Sequence, residues 1–164
     1  MKQIDEQLFQ AIWTNNFIEV EGLVANGASL AAHDTEGFSV ISAAIACGIT
    51  MLKRLIQLGA DPCLCDRDGT PSISTAIASG DINIVAELLT AGANLNLNDD
   101  RGGNALHAAA GLGDVEIFEL LLGFAVAADV KSKNPNGDTP LDIARLIGHG
   151  EIVSLLTAAE GQIE

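Results

Sequence analysis

The sequence predicts an all-α solenoid of stacked helix-turn-helix units joined by short hairpin-like turns. Three observations carry this. First, glycines recur in interleaved series at one period. Gly37, Gly69, Gly102 and Gly137 stand 32, 33 and 35 residues apart, and Gly48, Gly80, Gly113 and Gly148 each follow one of them by eleven. Gly27, Gly59 and Gly92 recur at 32 and 33. Second, the segments between these glycines repeat one another with apolar residues at helical spacing. Third, the chain is 48 % hydrophobic but only 4 % aromatic, with no Tyr. Its core must come from Ala, Leu, Ile and Val, which suits helices packed at close range. A fixed period of this length is the mark of a repeat architecture.

Each element of the unit has its own local reason. Gly80-Asp81-Ile82-Asn83-Ile84-Val85-Ala86-Glu87-Leu88-Leu89 matches Gly113-Asp114-Val115-Glu116-Ile117-Phe118-Glu119-Leu120-Leu121-Leu122, and Gly148 to Leu156 follows the same course. Ile84, Leu88 and Leu89 fall on one helical face. Asp81 and Asp114 are suited to the N-cap of that helix. Gly59-Ala60-Asp61 and Gly92-Ala93-Asn94 follow it, where glycine takes the left-handed conformation that ends a helix. Upstream lies a shorter Ala-rich helix, Ala105 to Leu112 in one unit and Ile73 to Ser79 in another. Before it comes an Asp-x-x-Gly turn: Asp34 to Gly37, Asp66 to Gly69, Asp99 to Gly102. The unit is turn, helix, tight turn, helix, loop.

This pattern resembles the ankyrin repeat, roughly D-x-x-G-x-T-P-L-H-x-A-A-x-x-G. Gly102-Gly103-Asn104-Ala105-Leu106-His107-Ala108-Ala109 comes close to it, as does Gly137-Asp138-Thr139-Pro140-Leu141-Asp142-Ile143-Ala144. Thr139 would cap its helix and Pro140 would fill the first helical position, where a missing N–H costs nothing. One domain over 1–164 is expected, with units at about 3–33 (an N-terminal cap), 34–65, 66–98, 99–133 and 134–159 (a C-terminal cap). The departures are specific. The first unit lacks the opening turn and has Asn15 where others have glycine; Asn is next best in a left-handed turn. The second reads Ser39-Val40-Ile41-Ser42 and its inter-helix link is one residue short. In the third, Thr70-Pro71 comes one position early. The loop from Ala127 to Asn136 is two residues longer than its counterparts and is expected to be mobile.

Charge narrows the function. There are 22 acidic and 8 basic residues, a net charge of −14. Such a chain is repelled by nucleic acid and by anionic lipid, because phosphate binding needs Lys and Arg. The acidity serves either solubility or a basic partner, attracted over a Debye length of roughly 10 Å. Mean hydropathy is +0.31, yet no run of about 18 apolar residues predicts a membrane span. The N-terminus has no apolar stretch of the secretory kind. Cys47, Cys63 and Cys65 lack a second Cys or His pair at zinc spacing, so they read as reduced, partly buried thiols, consistent with a cytoplasmic protein. No catalytic pairing, metal site or phosphate cradle is found; His107 falls at the family's structural histidine position. No cofactor is expected, and no enzymatic activity.

The resemblance implies a binding scaffold with an extended concave surface, made of turn tips and the exposed side of the first helices. The tips offer Glu36, Phe38, Asp68, Thr70, Asp100, Arg101 and Asp138. The inner-helix positions offer Trp13, Cys47, Ser79 and Leu112, beside Ala46, Ala78, Gly111, Leu146 and Ile147. Trp13 reads either as an interface anchor or as a cap on the open end of the core. The expected function is a stand-alone acidic binder, monomeric when free, that neutralises or regulates a basic protein. Small acidic solenoids of this kind resemble toxin-neutralising immunity proteins. The alternative is an adaptor linking partners in a larger complex.

Overall fold

Glycine at positive φ determines where the helices end. In the computed structural model, which describes residues 2–161, Gly80 (φ 70°) and Gly113 (φ 85°) are left-handed at the ends of their helices. A Cβ in that conformation costs about 1 kcal/mol or more. Asn15 does the same work in the first unit at φ 52°, as the only non-glycine residue at positive φ among the described residues.

Between these turns lie eleven helices among the described residues: α1 (Gln3–Trp13), α2 (Phe17–Ala25), α3 (Val40–Cys47), α4 (Ile49–Gln57), α5 (Ser72–Ser79), α6 (Ile82–Thr90), α7 (Ala105–Leu112), α8 (Val115–Phe124), α9 (Ala127–Val130), α10 (Pro140–Ile147) and α11 (Gly150–Gly161). They pair as α1–α2, α3–α4, α5–α6, α7–α8 and α10–α11, and each pair packs on the next. α1, α3, α5, α7 and α10 form an inner layer, each touching its successor; α4, α6, α8 and α11 form an outer layer in the same way. The inner helices meet through Ala43, Ala44, Ala76, Ala105, Ala109, Ala110 and Ala144, at most 1 % exposed. Between the layers sit Leu8, Ile12, Ile41, Leu52, Leu55, Ile77, Leu88, Leu106, Phe118 and Leu121, also at most 1 % exposed. Each contributes roughly 1.5–3 kcal/mol by leaving water. The turns preceding α3 and α5 close through single antiparallel bridges, His33 with Ser39 and Cys65 with Pro71, the hairpin-like element the spacing predicts.

The caps fall where the sequence places them. The Asp81 carboxylate accepts the Asn83 N–H at 2.9 Å and Asp114 that of Ile117 at 3.0 Å. Thr139 accepts from the Asp142 N–H, with Pro140 at the first helical position. The departures have structural counterparts. Gly48 alone joins α3 to α4 and serves as the end of one and the start of the other. The early Pro71 occupies the N-cap position of α5, so that helix starts without a side-chain cap. The longer connection after α8 is partly helical. It coils into α9, with Val130 and Asp129 buried and the Asp129 carboxylate accepting the Val126 N–H at 2.8 Å. The connection supplies an apolar side chain, Val130, to the core.

His107 ties two units together. Its Nε2 lies 3.1 Å from the carbonyl oxygen of Asp138 in the next turn, and its Nδ1 accepts the Asn104 N–H at 3.2 Å. One period earlier the position holds Ser74, whose buried hydroxyl has no partner; the side chain is too short to reach across. Burial pushes the His107 pKa below its usual 6.5, against the raising influence of Asp138 and Asp99.

Two predictions follow from these contacts. Gly113→Val places a Cβ 2.4–2.8 Å from the His149 ring, whereas at Gly80 the same atom meets open space. Both variants lose the left-handed turn, worth about 1 kcal/mol or more, and Gly113→Val melts lower than Gly80→Val in thermal unfolding. Equal midpoints would mean that the ring swings aside freely. For His107, the unfolded chain takes up a proton below about pH 6.5 while the folded chain resists it. Stability from this residue is therefore complete above pH 6.5 and falls as pH drops from there towards the depressed folded value. In melts between pH 7 and pH 5, His107→Gln is less stable at pH 7 and shows a shallower fall than the parent protein.

Candidate functional site

The turn tips are built by side chains folding back on their own backbone. Asp34 Oδ1 accepts the N–H groups of Glu36, Gly37 and Phe38 at 2.9–3.0 Å. Asp99 does the same for Arg101 and Gly103, and Asn134 for Asn136 and Asp138. Asp66 instead reaches the preceding unit and accepts the Ser39 N–H at 2.7 Å. Arg67 is committed to the same joint: its N–H bonds the Gly37 carbonyl and its guanidinium the Asp34 carbonyl at 3.1 Å. These bonds join the tips of the second and third units into one fixed edge. On it Asp68 is exposed and accepts the Thr70 N–H at 2.9 Å; hydrogen bonds from Thr70 hold its carboxyl below the usual carboxylate range. It stays ionised at neutral pH.

Between this edge and the inner helices runs a groove of about 820 Å³. Its floor is apolar: Ile77, Ala78, Ala108, Gly111, Leu112, Ile143 and Ile147. Its rim carries Asp66, Asp68, Asp99 and Asp100, with Arg101 the one cation among its lining residues. A smaller hollow of about 360 Å³ adjoins it, lined by Glu36, Gly37, Phe38, Asp66, Arg67 and Asp68.

Six of the candidate residues come together in the groove: Phe38, Asp68, Thr70, Asp100, Arg101 and Leu112. Glu36 lines the smaller hollow, which shares Phe38 and Asp68. Phe38 is 40 % and Leu112 49 % exposed, so both offer apolar surface to solvent. The other four lie apart. Trp13 is 45 % exposed at the end of α1. The Cys47 thiol packs over α1, donating to the Ile12 carbonyl at 3.3 Å. The Ser79 hydroxyl bonds the Ala76 carbonyl of its own helix, and Asp138 contributes main-chain groups to His107 and Asn134. Burial raises the pKa of the Cys47 and Cys65 thiols, so both remain protonated at neutral pH.

The groove also takes in Ser74, Thr75, Ala108 and Ile143, which the sequence reading does not single out. Each stands four residues before an inner-helix position: Ala78, Ser79, Leu112 and Ile147. Extending those positions back by one helical turn would have found them.

Residues 73–164 match the family described as ankyrin repeats, in three copies. SH3 and multiple ankyrin repeat domains protein 2 from Homo sapiens is 32 % identical over 147 residues, 88 % of this chain and 8 % of its own length. The B-cell lymphoma 3 protein homolog of Mus musculus is 30 % identical over 128 residues, 77 % of this chain and 28 % of its own. The Homo sapiens ARF GTPase-activating protein GIT1 is 31 % identical over 98 residues, 59 % of this chain and 13 % of its own. The chain thus spans less than a third of the length of each of these relatives. With its paired helices, glycine turns and fixed tips, the chain belongs to the ankyrin-repeat family.

Proposed function

We propose that the protein is a non-catalytic interaction module whose concave groove binds a basic partner protein. Ankyrin repeats are protein-protein interaction modules, and the observation that carries the finer reading is the groove itself. An apolar floor lies under a rim of four carboxylates and one arginine. Such a surface attracts cations at long range and rewards apolar contact at short range. The net charge of −14 disfavours nucleic acid and anionic membrane as occupants, and no described helix is long and apolar enough to cross a membrane. The protein acts as a free monomer in the cytoplasm, where its three unpaired thiols suit the reducing conditions. In that role it masks or regulates its partner, as an immunity-type inhibitor does.

An adaptor role is the second reading. It is favoured by the relatives, in which the similar segment is a small part of a much longer chain. A pull-down separates the two: one tight basic partner supports the inhibitor, several weaker partners the adaptor.

With a partner in hand, reversing Asp68 and Asp100 to Lys slows association and flattens its dependence on salt, because rim charges act on encounter. Phe38→Ala speeds dissociation by about thirtyfold, the equivalent of about 2 kcal/mol for a truncated anchor. Stopped-flow or surface-plasmon kinetics reads both. Parent-like rates in both variants would place the site elsewhere, with the outer helices around Glu87, Glu116 and Glu119 next in line.

A further inference from the structure

Gly111 is a glycine that the fold does not require. It lies inside α7 and is absent from the positive-φ positions, so no left-handed turn demands it. Glycine inside a helix costs roughly 0.5–1 kcal/mol relative to alanine. Close approach does not demand it either. A Cβ built there would lie 3.9 Å from Ile143 Cγ2 and 4.0 Å from Ile147 Cδ1, ordinary van der Waals separations. At the equivalent positions of other units the chain has Ala46, Ala78 and Leu146. The absent side chain does have one effect: it leaves a recess one carbon deep in the groove floor, at the place of the missing Cβ and beside the two isoleucines of α10, and these three residues line the same groove as Leu112. Leu112 is 49 % and Ile147 53 % exposed, so the surface around the recess is apolar and in contact with water.

We propose that this recess is the hydrophobic anchor point of the groove, and that Gly111 gates it for a leucine- or isoleucine-sized side chain of the partner. The occupant is a short segment with aliphatic residues along one edge and Lys or Arg along the other. Charge chooses the second edge. Asp66, Asp68, Asp99 and Asp100 line the tip side of the same groove, and a segment with an acidic edge would set like charges against four carboxylates. Size chooses a segment over a folded domain, since about 820 Å³ holds a few side chains. The inference rests on the groove as the binding site and adds the class of segment it accepts and the residue that admits it.

The test uses fluorescein-labelled synthetic peptides of equal length, built from Lys and Leu, from Lys and Ala, or from Glu and Leu, with anisotropy titrations on the full chain. The parent protein binds the Lys/Leu peptide most tightly. Gly111→Leu fills the recess and weakens that peptide by about tenfold or more, the loss expected when one aliphatic side chain is denied burial. Gly111→Ala weakens it less, and it melts at or above the parent temperature, which separates loss of binding from loss of fold. Unchanged Lys/Leu affinity in Gly111→Leu, or equal affinity for Lys/Leu and Lys/Ala, overturns the anchor while leaving a basic partner standing. Equal binding of Glu/Leu and Lys/Leu overturns the basic-partner reading itself. Binding of none of the peptides overturns both.

Discussion

No helix pair in this chain can hide its own apolar surface. Two helices of eight to twelve residues, joined by one to three, bury one stripe against each other and leave another bare. Only the next pair covers it. α1 rests on α3, α3 on α5, α5 on α7 and α7 on α10, and the core exists only as the sum of these joints. That dependence explains the alanines. A larger residue at Ala44, Ala76 or Ala109, each at most 1 % exposed, would force neighbouring units apart and open the core on both sides. It also fixes the groove, because the inner layer of short helices and the line of tips are consequences of the same stacking.

The tips show that acids of one surface have different duties. Of the acids that open the turns, Asp34 and Asp99 are consumed by their own backbone and Asp66 by Ser39 of the preceding unit. Glu36, Asp68 and Asp100 face solvent without such a structural duty. Asp68 is oriented by its bond with Thr70 rather than withdrawn by it. Negative net charge and negative groove are therefore separate facts. The first follows from composition, the second from where the turns place Asp66, Asp68, Asp99 and Asp100.

The fold was legible from the chain because glycine, cap and apolar stripe all repeat at one period and agree with one another. Positive φ at Gly80 and Gly113 and the caps at Asp81, Asp114 and Thr139 are local requirements, and local requirements leave marks in sequence. The lining of the groove was legible in part. Tip residues such as Phe38, Asp68 and Asp100 follow from their place in the unit. Ser74, Thr75, Ala108 and Ile143 lie one helical turn before the inner-helix positions and needed only that extension. Cys47 and Ser79 sit at the right register, yet the Cys47 thiol packs over α1 and the Ser79 hydroxyl turns to its own helix; side-chain direction is not written in spacing. The turn of α9 was missed for a related reason. Its value to the fold lies in a contact of Val130 with residues far away in sequence.

Because α3, α5 and α7 each pack on the inner helix before, the inner helix after and the outer helix of their own unit, a change in one unit is felt chiefly by two neighbours and fades beyond them. Substitutions on the surface of one unit are therefore best tolerated where they leave its joints with the two adjoining units intact.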